Sequence, residues 1–373
     1  MPAHPAMPIE APQRFADATF HRVAWRFMPL FFLCYVVAYL DRVNVGFAKL
    51  QMLNDRISAT RCTASGQGCF SGMVLYLTYW FPARRRGKMM AVLMAGNPVP
   101  GIIGGPVSGF IMHTLGGLAG HAGWQWLFII EAMPAVILGV VIWFFLDDRV
   151  ADATWINEDE KRLIAREISE DTAVSTHGSV KAVFTSGHVW LLCLILFGIV
   201  MGSYTIGFWQ PTIINGSGVS HPFIIGLLTI IPYTVALVSM ILVGRNADRT
   251  RQRKLHVIVP VLVTACGVSL CAFSGASLIP AMTGLTLATA GVITALPMFW
   301  ALPTSFLSGA GAAAGIALVN STGNLAGFVG PTILGWLKTQ THSLSSGLYV
   351  VAGSLVLSAL LVALFIPARI VDR

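Results

Sequence analysis

An acid and a base stand side by side in an apolar run. In YVVAYLDRVNVGFAKLQM, residues 35–52, Asp41 and Arg42 are flanked by residues that read as membrane-spanning. An ionisable side chain at that depth costs about 2.5–3.5 kcal/mol on insertion scales, which makes each a candidate functional group. On a helix the two side chains point about 100° apart and do not face each other. Tyr35, Tyr39 and Arg42 fall at i, i+4 and i+7 and share one stripe, whereas Asp41 and Asn44 lie on the next face. The stripe sets a guanidinium beside two phenols, and the planar fork of Arg matches a carboxylate with two hydrogen bonds. The competing reading is that the pair only ties this helix to a neighbour near the membrane surface. Against it, Asp41 lies 14 residues into a span that starts at 27, past the midplane.

Other polar side chains sit in apolar surroundings. Glu131 lies seven residues into its span, near the outer surface, and reads either as a functional carboxylate or as a helix–helix hydrogen bond. Tyr204, Trp209, Gln210, Trp300, Thr304, Asn320 and Asn324 could complete a site for a polar ligand, with Gln210 and Asn320 favoured. Each serves equally well as an interhelical tie, worth about 0.6 kcal/mol on average. His113 and His121 flank an outer loop and read as bystanders. No His/Asp/Glu cluster has metal-ligand spacing, no glycine-rich phosphate loop follows a strand, and no cofactor is expected.

The elements that must position these residues follow from composition. The chain has 373 residues, 55% hydrophobic and only 11% charged, where a soluble domain carries about 25% charged residues. The apolar residues fall in blocks long enough for a helix to cross about 30 Å of hydrocarbon. The expected spans are 27–48, a short one at 69–81, 88–113, 124–146, 189–214, 222–243, 255–274, 278–302, 310–337 and 346–366. This predicts an all-α polytopic membrane protein. The six cysteines show no C-x-x-C pairing, and the first 26 residues lack a signal-peptide layout.

The net charge of +8 would suit nucleic acid, but its distribution does not. Sorting Lys and Arg by alternating sides puts 19 of 24 on one side, including Arg84, Arg85 and Arg86 and the run GRNADRTRQRK. Lys49, Arg56, Arg61 and Lys338 fall on the other, leaving only Arg42 within a span. That is the positive-inside bias, and it places both termini in the cytoplasm of a cell inner membrane. The organisation expected is a cytoplasmic segment 1–26, a helix bundle 27–146, a polar linker 147–188 with an amphipathic helix near 157–169, and a second bundle 189–373.

The halves echo each other. YWFPARRRGKMMAVLMAGNPVPGIIGGPVSG and FWALPTSFLSGAGAAAGIALVNSTGNLAGFVGPTILG each run from an aromatic helix end through a Pro and a loop into a small-residue helix ending in Gly-Pro. Parallel repeats of this kind occur in transporters. In the second half 114 residues separate position 189 from Pro303, but only 55 separate 27 from Pro82. The deficit of 59 residues matches two spans and a loop, so the first bundle is expected to be truncated, with 9–10 spans in all instead of 12.

YLDRVNVGFAKLQM (39–52), GMVLYLTYWFPARRRGKMMA (72–91), GGPVSGFI (104–111), GWQWLFIIEAMPA (123–135), GRNADRTRQRK (244–254) and NSTGNLAGFVGP (320–331) resemble the major facilitator superfamily. Within it they resemble the anion:cation symporter family, whose members carry tartrate, phthalate and sugar acids. The resemblance runs from about 23 to 370 and implies a monomeric secondary transporter working by alternating access. It implies that Arg42 holds the carboxylate of a small organic anion and that Asp41 takes up the coupling proton. From the residues themselves, Tyr35, Tyr39, Gln210, Trp300 and Asn320 are the candidates around that anion, and Glu131 is the second candidate for the proton. The partners expected are that anion, a proton and the lipid bilayer. The chain departs from the family between Met52 and Gly72, where LNDRISATRCTASGQGCFS replaces two and a half helices and a carboxylate. That gap leaves two other readings open, an internally deleted, inactive remnant and a membrane sensor or assembly partner.

Overall fold

The computed structural model describes residues 10–52, 68–174, 184–303 and 310–368. Among these residues the secondary structure is helical, without a strand. Hydrocarbon offers no partner for an exposed N–H or C=O, so a spanning chain satisfies its backbone internally as helix. The helices are α1 (Glu10–Met52), α2 (Gly68–Trp80), α3 (Ala83–Ala95), α4 (Val99–Thr114), α5 (Gly123–Phe145), α6 (Glu158–Val174), α7 (Gly187–Gly216), α8 (Pro222–Thr250), α9 (Arg253–Phe273), α10 (Leu278–Phe299), α11 (Ala310–Thr341) and α12 (Leu344–Phe365). Among the described residues eight segments are long and apolar enough to cross a membrane, α3 and α4 counting together as one. Two of the expected spans are not among the eight. α2 has 13 described residues, from Gly68, where the described residues resume, and α11, though 32 residues long, carries Asn320, Ser321, Thr322 and Asn324 in mid-helix.

Two boundaries differ from the sequence expectation. The span expected at 88–113 is two helices, with a turn at 96–98. Pro98 has no N–H to donate, and a proline disfavours helical geometry in the residue before it, here Asn97. The turn is closed by Gly96 N–H to Leu93 O and Asn97 N–H to Met94 O, both 3.0 Å. α1 begins at Glu10 rather than 27 and runs 43 residues, about 65 Å of helix, twice what a bilayer needs. Its extra turns are held by packing. Phe20, Val23 and Phe27 are buried with Leu77 and Trp80 of α2 and with Ile156 and Ile164 of the linker. Arg22 pairs with Glu160 at 2.9 Å, and Arg85 with Asp17 at 2.7 Å.

The amphipathic linker helix expected near 157–169 is α6. Asn157 caps it, its carboxamide accepting from Glu160 N–H at 2.8 Å while the Glu160 carboxylate accepts from Asn157 N–H at 3.0 Å. Glu158, Asp159 and Glu160 in its first turn oppose the positive end of the helix dipole.

The segments before and after α6 meet along two glycine seams. Gly46 of α1 lies against the Gly207 and Phe208 carbonyls of α7, which a Cβ there would approach to 3.1 Å. Gly101, Gly105 and Gly109 recur every four residues along α4 and face α8. A Cβ at these positions would meet the Tyr233 ring, the Thr229 hydroxyl and the Pro222 carbonyl in turn, and one at Gly226 would meet the Gly105 carbonyl. Small residues at such positions allow helix backbones to approach where no hydrophobic effect drives them together.

Gly226→Ala is expected to lower stability by about 1–3 kcal/mol, the usual cost of overpacking a close contact. Gly139→Ala in α5, where a Cβ meets nothing within 4 Å, should leave stability unchanged or slightly raised. Thermal unfolding of the purified full chain in one detergent checks the pair.

Candidate functional site

A cavity of about 110 Å³ lies between the segments on either side of the linker. From α1 it takes Tyr39, Asp41, Val43 and Val45; from the α3–α4 turn and α4, Asn97, Pro100 and Gly101. Across from these stand Ser203, Tyr204, Ile206, Gly207 and Phe208 of α7, Tyr233 of α8, Thr289, Val292 and Ile293 of α10, and Gly327 and Pro331 of α11. Two glycines accommodate two phenols here. The Tyr233 ring lies over Gly101, and the Tyr204 ring lies where a Gly327 Cβ would come within 3.1 Å of it. The lining is mainly apolar with a few convergent polar groups, the usual composition of a small-molecule site.

A line of polar side chains leads from the cavity into the first-half packing. Asp41, half-buried on the cavity wall, hydrogen-bonds Asn44 one turn further along α1. The Ser108 hydroxyl of α4 lies 3.2 Å from Asn44 Oδ1 and 3.0 Å from Glu131 Oε1 of α5. Asn44, Ser108 and Glu131 are all buried, and Glu131 Oε2 has no hydrogen-bond partner among the described residues. One hydroxyl brings one hydrogen. Both contacts are made only when the other hydrogen comes from a protonated Glu131 or from an Asn44 amide turned to present its NH₂. Three helices thus converge on a chain of polar groups, Asp41–Asn44–Ser108–Glu131.

The candidates named from sequence divide. Tyr39 and Asp41 line the cavity. Tyr35 is buried one turn away, its ring 4.8 Å from that of Tyr39, and backs that residue without reaching the cavity wall. Glu131 is buried and belongs to the polar chain. Gln210 is buried outside the lining, with neither amide atom hydrogen-bonded among the described residues. Trp300, at the end of α10, packs on Phe299 with ring centroids 5.7 Å apart. Asn320 precedes Gly327 by seven residues on α11, about 10 Å along the axis. Neither Trp300 nor Asn320 lines the cavity. The Arg42 side chain and Thr304 lie outside the described residues. His113 is no isolated loop residue, since its ring is 4.3 Å from that of His221 on the neighbouring helix start.

Sequence reasoning missed Asn97, Ser203, Tyr233 and Thr289 in the lining, and Ser108 in the polar chain. Tyr233, a phenol inside an otherwise apolar span, was the one legible signal among them. Lys49, assigned by charge sorting to the aqueous surface, is instead buried. Its Nζ is 2.7 Å from the Trp209 ring centroid and 4.4 Å from that of Phe208. It stands three residues before the end of α1, and α7 closes over it.

Comparison with known proteins agrees with this architecture. The pattern described as Major Facilitator Superfamily matches residues 63–331. The putative metabolite transport protein NicT of Pseudomonas putida is 35% identical, covering 95% of this chain and 96% of the relative. A putative tartrate transporter of Agrobacterium vitis is 37% identical, covering 91% and 89%. The NicT alignment runs over 421 positions against the 373 residues of this chain, so at least 48 of them have no counterpart here. Among solved structures, a D-xylose-proton symporter superposes with a TM-score of 0.61 at 18% identity, covering 95% of this chain and 84% of that one. A bacterial homologue of the lysosomal transporter Spinster gives 0.59 at 14% identity, covering 93% and 97%. With the helix order, the cavity between two halves and these relatives together, the chain belongs to the major facilitator superfamily of membrane transporters.

Proposed function

We propose that the chain is a secondary transporter that moves a small organic anion, a carboxylate or sugar acid, together with a proton. The segments 27–146 and 189–373 act as two bodies that expose the central cavity alternately to each side of a cell inner membrane. Both termini are cytoplasmic, and the working unit is a monomer. The observation that carries the reading is the polar chain from the cavity wall to a buried carboxylate. Glu131 has no cation beside it among the described residues, and an unpaired buried charge is costly. A carboxylate that takes and gives a proton avoids that cost during part of the cycle, which suits symport.

In this mechanism Arg42 holds the anion by its carboxylate. Tyr39 closes one side of the site, with Tyr35 packed behind it. Asp41 stands where anion and proton meet, and Asn44 and Ser108 connect it to Glu131. Similarity to the putative tartrate transporters of Agrobacterium vitis supports the anionic class of substrate, as does the charge expected on Arg42.

A second reading has its own observation. The NicT alignment exceeds the whole chain by 48 positions, and the described part of α2 is 13 residues long. An internally deleted, inactive remnant would look the same in these respects.

Proteoliposomes holding the full chain and driven by an inward proton gradient separate the two. The transporter reading expects radiolabelled tartrate to accumulate and Asp41→Asn to cut gradient-driven uptake at least about tenfold, the loss of about 1.4 kcal/mol or more in the coupled step. Uptake appearing only after the missing segment is restored establishes the remnant. Independently, Ser108→Ala strands Asn44 and Glu131 without their shared hydroxyl. It is expected to cost about 1–3 kcal/mol in detergent unfolding, whereas Ser108→Thr, which keeps the hydroxyl, should cost less.

A further inference from the structure

Lys49 takes no part in the mechanism above, and its surroundings are unusual. It is 4% exposed, and its Nζ makes no hydrogen bond among the described residues. Its ammonium lies over Trp209 and Phe208 of α7. Lys338, in the last turn of α11, brings a second ammonium to 5.4 Å from the same indole. The indole N–H of Trp209 is also buried without a hydrogen-bond partner. Among the described residues no ion pair involves either lysine.

Aromatic faces attract an ammonium but accept none of its three N–H bonds in the way an oxygen does. The cluster therefore gathers two lysine amines and a further N–H donor, and the described residues provide no acceptor oxygen for them. Two ammonium charges brought to one ring in a poorly solvated place repel, and both lysines stay protonated together only when a negative charge lies between or beside them. Asp41 is eight residues back along α1, about 12 Å away, and its own hydrogen bond goes to Asn44. Lys49 is also far from the other end of α1, where Arg22 pairs with Glu160 of α6.

We propose that Lys49, Lys338 and Trp209 form a second anion site at the end of the α1–α7 contact remote from the linker helix, separate from the central cavity. It takes a small anion with acceptor oxygens or a halide, held by two ammonium groups against an indole. The site goes beyond the transport reading and does not rest on it. A transported carboxylate and inorganic chloride share the required chemistry.

Iodide quenches indole fluorescence on contact and serves as an anionic probe, with neutral acrylamide as control. The difference between the purified full chain and its Trp209→Phe variant isolates the Trp209 signal. The expected result is a component of iodide quenching that saturates, with no saturating component for acrylamide. Lys49→Met and Lys338→Met should each raise the half-saturating iodide concentration about tenfold or more, since each removes a charged donor. Both variants are read against the native tryptophans, so the result stands even where Trp209→Phe folds poorly. Relief by sodium tartrate assigns the site to organic carboxylates, and relief by sodium chloride alone assigns it to halide. Linear quenching of Trp209, or saturation unchanged in Lys49→Met, overturns the site. Asp41→Asn should leave the quenching unchanged while it cuts coupled uptake at least about tenfold, so failure of this site and failure of the transport reading are distinguishable.

Discussion

A polar side chain in hydrocarbon has no water to fall back on, and every such group must be satisfied from within the protein. That constraint organises the cavity wall. Asp41 and Glu131 lie on different helices, α1 and α5, and α4 reaches between them only through Ser108. The hydroxyl touches both Asn44 and Glu131, so one small side chain fixes the mutual rotation of three helices. A chain that merely needed to cross a bilayer would have used apolar residues at all four positions. The polar line is the costly alternative, and it runs from the central cavity to a buried acid.

The same constraint explains why glycine, rather than a large apolar residue, sits where the two halves meet. Lipid tails are as apolar as Leu, so burying Leu between helices gains little in a membrane. Close backbone contact gains dispersion along a whole seam. On α4 the i, i+4 spacing of Gly101, Gly105 and Gly109 presents one smooth face to α8, and Gly46 does the same for α1 against α7. Smooth faces also carry few interlocking side chains, which suits bodies that move against one another. The cavity lies where Gly101 admits the Tyr233 ring, so the seam and the site share residues.

What was legible in the sequence was local. Apolar blocks showed the helices, the acidic start and amphipathic pattern showed α6, and Asp41 stood out because charge is rare at that depth. Tyr39 followed from its spacing to Arg42. The pairing of elements was not legible. Ser108 reads as one more small residue in GGPVSG until α5 places Glu131 against it. Lys49 reads as an interfacial cation until α7 brings Trp209 over it. The break at Pro98 was visible as GNPVPG, but a membrane helix tolerates such prolines when neighbours re-satisfy its backbone. Pro106, Pro134, Pro211 and Pro232 all lie inside unbroken helices, so the motif alone did not distinguish kink from break.

The aromatic end of α1 raises a packing problem, and the structure shows how it is met. Uncovered, it would expose Phe20, Phe27 and Phe31. Instead Tyr76 and Trp80 of α2 pack on Phe27, with ring centroids 5.4 and 4.7 Å away, and Trp155 of the linker covers the same ring from 5.6 Å. Trp155 is held in place by a 2.7 Å hydrogen bond from its indole to Asp147, and α6 adds Ile164 to the cluster. Linker and short helix together make a second apolar core at that end of α1, distinct from the core that joins α7 to α12. The α1 wall of the cavity therefore keeps its position through packing at both ends, on α7 at one and on α2 and the linker at the other, while α4 rests on α1, α5 and α8. The central site thus rests on helix pairs that the described residues of α1, α4, α7 and α8 complete among themselves.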